Sequence, residues 1–133
     1  MNILFIDTST KTARVGLIQD QILVDLKEWE STPELGKKLL EEIDTLLKKH
    51  ALELKDIKRV AVHRGKEGSS FMALRTGIVT GTMLVEAARV ELAQIEGDSV
   101  EAMVQEACQG EGVQVIEPMY ALRQAQGKNS PGG

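Results

Sequence analysis

The chain opens on four consecutive apolar residues, Ile3, Leu4, Phe5 and Ile6, closed by Asp7 and Thr8. A run that short, bounded by polar residues, predicts a strand buried on both faces. Alternation follows: Ala13, Val15 and Leu17 lie on one face, then Ile22, Val24 and Leu26, with a turn at Gln19-Asp20 between them. These two runs predict an antiparallel hairpin. The period then lengthens. Leu35, Leu39, Ile43, Leu46 and Leu47 fall on one helical face that ends near His50. Thr32 suits the N-cap of that helix, Pro33 its first position and Glu34 the positive end of its dipole.

A fourth strand is predicted at 57–62, followed by the loop His63-Arg64-Gly65-Lys66-Glu67-Gly68-Ser69-Ser70 and a second helix over 71–89. Ser69 and Ser70 fit the N-cap of that helix. Within it Ala73, Gly77 and Gly81 stand four apart, a stripe with almost no side chain. Glycine inside a helix costs about 1 kcal/mol against alanine, so two of them imply that something packs very close. That something is either a partner's helix or the chain's own sheet. A short fifth strand at 92–95 precedes a third helix, for which Asp98 and Glu101 form a capping box and Val100, Met103, Val104 and Ala107 the apolar face. Positions 113–116 read as a sixth strand or an extended segment. From Gln124 the chain is polar and ends Asn129-Ser130-Pro131-Gly132-Gly133. The pattern predicts one lobe over 1–123 and a disordered tail over 124–133.

Three strands followed by alternating helices and strands is an α/β plan with right-handed crossovers. It is the ribonuclease-H-like order, shared with the actin-like (ASKHA) superfamily. The expectation is a single lobe: a mixed five-stranded sheet with helices on both faces.

Composition narrows the chemistry. With 133 residues there is room for one domain. Only 3% are aromatic, so few rings are available to stack on bases or sugars. The formal net charge of -4, with scattered or paired basic residues, argues against direct nucleic-acid binding, which needs clustered Lys and Arg. The single Cys108 permits no internal disulfide and fits a reducing, cytoplasmic setting. The apolar run after Met1-Asn2 is too short for a signal peptide, and the apolar stretch 71–90 carries Arg75, Glu86 and Arg89, so no membrane span is expected.

Catalytic constellations are sparse. Asp7 ends the first strand, where a two-metal nuclease would place a carboxylate, but the fourth strand ends Val62-His63-Arg64 and offers no acid. His50 and His63 lack partners at metal-ligand spacing, so no metal is expected. Cys108 has no basic neighbour in sequence to activate it. Asp7, Thr8, Ser9 and Thr10 occupy the place of a phosphate loop in actin-like folds, without the glycines such loops use. The loop 65–70 lacks a P-loop ending and carries Glu67, which would repel phosphate; a tight-turn role fits it better.

The loop and the helix after it resemble the TsaB (YeaZ) family. His63-Arg64-Gly65-Lys66-Glu67-Gly68-Ser69-Ser70-Phe71-Met72-Ala73-Leu74-Arg75-Thr76-Gly77 is similar to that family's Gly-Arg-Gly-Pro-Gly-Ser-Phe-Thr-Gly-Leu-Arg-Ile-Gly, and Gly65, Gly68, Ser69 and Arg75 carry the match. The opening Ile3-Leu4-Phe5-Ile6-Asp7-Thr8-Ser9-Thr10 is similar to the family's start, and Glu117-Pro118-Met119-Tyr120-Ala121-Leu122-Arg123 to its Pro-x-Tyr-Leu-Arg segment. Lys66-Glu67 with one extra residue stands where the family has proline, and family members usually carry a second lobe.

The resemblance implies a non-catalytic scaffold in the synthesis of threonylcarbamoyl-adenosine on tRNA. It implies a catalytic TsaD-like partner and a TsaE-like ATPase in the complex, tRNA met only indirectly, and a homodimer as a further possibility. Any ATP or ADP would sit on a partner or at a shared site. Docking would use the first two helices, which places Leu35, Leu39, Ile43, Ala73, Gly77, Thr80, Gly81 and Leu84 in the interface. The alternative is an actin-like nucleotide-binding enzyme, an ATPase or a peptidase.

Overall fold

The computed structural model describes residues 1–119, so the predicted tail and residues 120–123 of the C-terminal motif lie outside the described residues. Strand β1 (Asn2–Asp7) lies at the centre of one five-stranded sheet, with β2 (Thr12–Gln19) and β3 (Ile22–Glu30) beyond it on one side. On the other side lie β4 (Ile57–His63) and β5 (Glu91–Ile95), giving the order β3-β2-β1-β4-β5. The β1–β2 and β2–β3 pairs are antiparallel; β1–β4 and β4–β5 are parallel. Helices α1 (Leu35–Lys49) and α2 (Phe71–Ala88) connect β3 to β4 and β4 to β5, and α3 (Val100–Gln109) follows β5. This is the single ribonuclease-H-like lobe that the pattern predicts.

The pleat of β1 divides the core into two layers. Leu4 and Ile6 face α1 and α2 together with Val15, Leu17, Val60 and Val62. Ile3 and Phe5 face the opposite way, with Ala61, Ala93 and Ile95, and are covered by Met103 and Ala107 of α3. The five apolar residues of α1 are all buried, each contributing about 1.5–3 kcal/mol by leaving water.

Several boundaries differ from the prediction, for local reasons. Thr32 closes a turn rather than capping α1: its carbonyl accepts from Leu35 N at 3.0 Å and its hydroxyl from Glu34 N at 3.3 Å, so the helix starts two residues later. Ser99, not Asp98, caps α3, accepting from Ala102 N at 3.1 Å. Asp98 instead pairs with Lys66 at 3.6 Å. On β3, Ile22 and Val24 are exposed rather than inward, because a register shift between Leu17 and Ile18 turns Leu23 to the core. Val113 makes a single bridge to Leu92, so 113–116 is an extended segment that buries Ile116, not a sixth strand.

His50 closes α1 by reaching back to β3. Its Nε2 lies 2.8 Å from Asp25 Oδ2, and Lys49 Nζ lies 3.1 Å from the same oxygen. The His50 bond holds the Asp25 carboxyl below its ordinary value; partial burial opposes this, and Lys49 adds to the lowering. A carboxyl lowered on folding stabilises the fold above its unfolded pKa of 3.8, and that contribution is lost as pH falls through the lower folded value. The stability difference between the native chain and His50→Ala is therefore expected to be full at about pH 5 and to shrink towards about pH 3. Urea titrations followed by the emission of Trp29, the single tryptophan, would measure it.

Candidate functional site

Helix α2 is long and apolar enough, by length and composition, to cross a membrane. Yet only four of its eighteen residues, Leu74, Gly77, Thr80 and Gly81, are buried. Those four face inward. A Cβ on Gly77 would collide with the Thr8 side chain, and one on Gly81 would strike Val62 and approach Ile6 to 3.7 Å. Thr80 turns its hydroxyl to Thr76 O at 2.7 Å. The small-residue stripe therefore brings α2 down onto the sheet; it is not presented to a partner.

Leu35, Leu39 and Ile43 are likewise buried in the chain's own core, and Ala73 and Leu84 pack half-buried against it. Of the interface residues predicted from sequence, Leu39, Ile43, Gly77 and Gly81 thus pack into the lobe itself, whereas Leu35 and Ala73 line a cleft, Thr80 lines the groove between the helices and Leu84 stays half-buried.

The opposite side of α2 carries partly exposed apolar residues. Phe71, Met72, Val79 and Met83 are 44%, 69%, 48% and 50% exposed, and Leu40 of α1 is 45% exposed beside them. Between the two helices runs a groove lined by Leu40, Met72, Arg75, Val79 and Met83, with Gly36 at its α1 wall. The helices come close there: a Cβ on Gly36 would stand 3.5 Å from Thr76 Cγ2. A soluble helix is ordinarily apolar only towards its core, so an apolar outer face marks a surface awaiting cover.

The loops behind α2 are built by interlocking polar contacts. Asp7 is buried, and both its oxygens are engaged. Oδ1 accepts from Ser9 N at 2.9 Å and Ser9 Oγ at 2.6 Å, and Oδ2 pairs with Arg14 at 3.0 Å. Burial disfavours the Arg14 charge, but Glu28 and Asp7 outweigh it and raise the guanidinium pKa. Ser69 ties the phosphate-loop position to the glycine loop, donating to Ser9 O at 2.8 Å and accepting from Lys66 N at 2.9 Å. Ser70 is the N-cap of α2.

Gly65 (φ +95°) and Gly68 (φ +88°) turn the chain as a tight-turn role requires. Thr8, buried beneath Gly77, has a hydroxyl without a hydrogen-bond partner among the described residues. Ser9, Thr10, Lys11, Ser70, Met72 and Thr76 line an open cleft of about 550 Å³ that runs into the groove. Among the described residues no three His, Cys, Asp or Glu side chains converge as metal ligands would.

His63, read from sequence only as a weak metal candidate, has a structural place. Its Nδ1 accepts from Gly65 N at 2.9 Å, so Nε2 carries the proton and donates to Gly97 O at 2.9 Å. It locks the β4–α2 loop to the β5–α3 loop. The glycine two residues after a strand-end histidine is the only sequence signal for this. Cys108 is half-buried, which raises its thiol pKa, with Arg59 pulling the other way.

Neither a family model nor a curated protein matches the sequence. Solved structures do. YeaZ from Pseudomonas aeruginosa superposes with a TM-score of 0.65 and 21% identity, over 71% of this chain and 43% of that one. The chain has a YeaZ-like fold. It spans less than half the length of that YeaZ neighbour. RuvC from Thermus thermophilus is similar over 96% of this chain and 97% of its own, with a TM-score of 0.52 and 12% identity. A RuvC in complex with a Holliday junction substrate aligns with a TM-score of 0.50. The YeaZ-like lobe carries the α1–α2 groove on one side of its sheet and α3 on the other.

Proposed function

We propose that the chain is a non-catalytic scaffold subunit of the complex that makes threonylcarbamoyl-adenosine on tRNA, docking a TsaD-like catalytic subunit on its α1–α2 face. The observation that carries this reading is the exposed apolar strip of Leu40, Met72, Val79 and Met83 on an otherwise well-packed lobe. Two helices presented side by side offer ridges and a groove to two helices of a partner. The YeaZ-like fold and the Ile3–Thr10 and Gly65–Gly77 motifs point to the same system. Asp7, fully engaged by Arg14 and Ser9, is poorly placed to bind metal or phosphate, which favours a scaffold over an ATPase or nuclease. The setting is cytoplasmic, a TsaE-like ATPase joins the complex, and tRNA is met through the partner.

Co-expression with the TsaD-like subunit of the same source tests this. Met83→Asp or Val79→Asp is expected to weaken the complex by on the order of 2 kcal/mol, about 30-fold, as for a central interface residue. Because both positions are exposed, thermal stability should stay within about 0.5 kcal/mol of the native chain. An unchanged complex would remove the docking face. A nucleotide-binding enzyme is the second reading, favoured by the hydroxyl-lined cleft beside Lys11. Micromolar ATP binding with turnover by the isolated chain would establish it in place of the first.

A further inference from the structure

The sheet has two edges, β3 and β5, and among the described residues only β5 has chain laid against it. Residues 113–119 cross it as a strap. Val113 N donates to Leu92 O at 2.7 Å in one antiparallel bridge, Ile116 is buried in the core layer that holds Leu92, and Met119 N donates to Arg64 O at 2.8 Å. The root of the strap is fixed. Arg59 donates to the carbonyls of Ala107 and Gly110 at 2.9 and 2.6 Å and pairs with Glu91. Gly112 then passes so close to that glutamate that a Cβ would stand 2.7 Å from its Cγ. The far end is clamped by Arg64, whose Nε donates to Glu117 O at 2.9 Å and whose guanidinium also pairs with Glu96. Arg64 belongs to the glycine loop and Glu117 to the C-terminal motif, so the clamp joins in space two segments that lie far apart in sequence.

Beneath the strap is a strand edge. Ile95 O accepts from Arg64 N, so Ile95 faces β4; by alternation Leu92 and Gln94 turn their N–H and C=O groups outward. Leu92 O is taken by Val113, and the strap makes no other bridge to β5 among the described residues. Such an edge is a template for another strand. The β5 of a second copy suits it: in an antiparallel pair centred on Ala93, Glu91 lies opposite Ile95 and Leu92 opposite Gln94, so no like charges meet. The other edge needs no cover of this kind. Strand β3 carries Asp25, Lys27, Glu28 and Glu30 and a register irregularity, all features that deter pairing, whereas the one charge of β5 is already held by Arg59.

We infer that residues 113–119 are an edge-guarding strap, clamped by Arg64, and that its release lets β5 pair with the β5 of a second copy. This goes beyond the docking reading and does not depend on it.

The test is sedimentation and amide hydrogen exchange of the full chain carrying Arg64→Ala or Ile116→Ser, each with and without Gln94→Pro. Proline at 94 removes an outward donor from an edge strand and spares the bonds to β4. In the native chain the Val113 and Met119 amides should exchange together and sooner than those of β1, as a locally opening unit does. Release of the strap is expected to tighten self-association at least about tenfold, and Gln94→Pro to abolish that gain. Circular dichroism checks folding; should Ile116→Ser fail to fold, Arg64→Ala decides alone, since it removes no apolar core side chain. Folded, monomeric variants whose Val113 and Met119 amides exchange freely would overturn the inference. So would self-association that Gln94→Pro leaves unchanged, because that contact then lies elsewhere, the α1–α2 face included. Undiminished protection of both amides in Arg64→Ala would overturn the clamp.

Discussion

Gly81→Val is expected to lower the stability of the chain by about 3 kcal/mol, the upper part of the range for overpacking a well-packed core. A Cβ at 81 enters the Val62 side chain, and Ile6 stands directly behind. Neither can retreat. Val62 belongs to β4, paired on both edges by β1 and β5, and Ile6 belongs to the central strand. The helix must rise instead, parting Leu74 and Thr80 from the sheet. For a domain of this size the loss corresponds to a fall in melting temperature on the order of 10 °C.

Gly77 offers a sharper version, because its obstacle is one removable side chain. Gly77→Ala should destabilise despite the gain of about 1 kcal/mol in helix propensity, since the new methyl meets Thr8. Thr8→Ala takes away the two nearest of the obstructing atoms, leaving Cβ at 3.1 Å, and with them a buried hydroxyl that has no hydrogen-bond partner among the described residues. The double variant should therefore be more stable than Gly77→Ala alone. Urea denaturation of the four proteins closes the cycle, and additive effects would show that Thr8 and Gly77 are not in contact.

Arg14→Leu is the second large effect. It leaves the Asp7 carboxylate buried, held by Ser9 alone. Breaking a buried pair from one side costs about 3–5 kcal/mol, and the two Ser9 bonds that survive place the expected loss near the lower figure. Arg14→Leu combined with Asp7→Asn removes the stranded charge, so it should be more stable than Arg14→Leu alone. If the single and double variants unfold at the same urea concentration, the Asp7 charge is not what Arg14 compensates.

These two predictions also mark what the sequence could and could not reveal. The strands and the first helix were legible because their patterns have only one solution: period two for the hairpin, and one five-residue apolar stripe for α1. Helix α2 has two solutions. Leu74, Gly77 and Gly81 share one helical face, Met72, Val79 and Met83 another, and with almost no charged residues between them periodicity cannot say which side is inside. The glycines correctly signalled a close approach; that the approaching surface is β1 and β4 needed coordinates. Asp7 was legible as a position but not as a state, since nothing in the order of residues tells that β2 returns Arg14 beside it. The groove was missed because exposed Met and Val in a helix look the same in sequence as buried ones.

The position of β1 has a consequence for the order in which the chain can fold. Asn2 pairs with Gln19 through a local hairpin but with Ile57 only across a long stretch of chain that includes α1. The three-stranded meander can assemble early from contacts close in sequence, with little chain to bring together. Until β4 arrives, β1 is an open edge carrying Leu4, Phe5 and Ile6, the residues most exposed to mispairing in the whole sheet. The loop entropy of closing β1 onto β4 is thus the toll on completing this lobe, and α1, by covering one face of the meander first, shelters that edge while it waits.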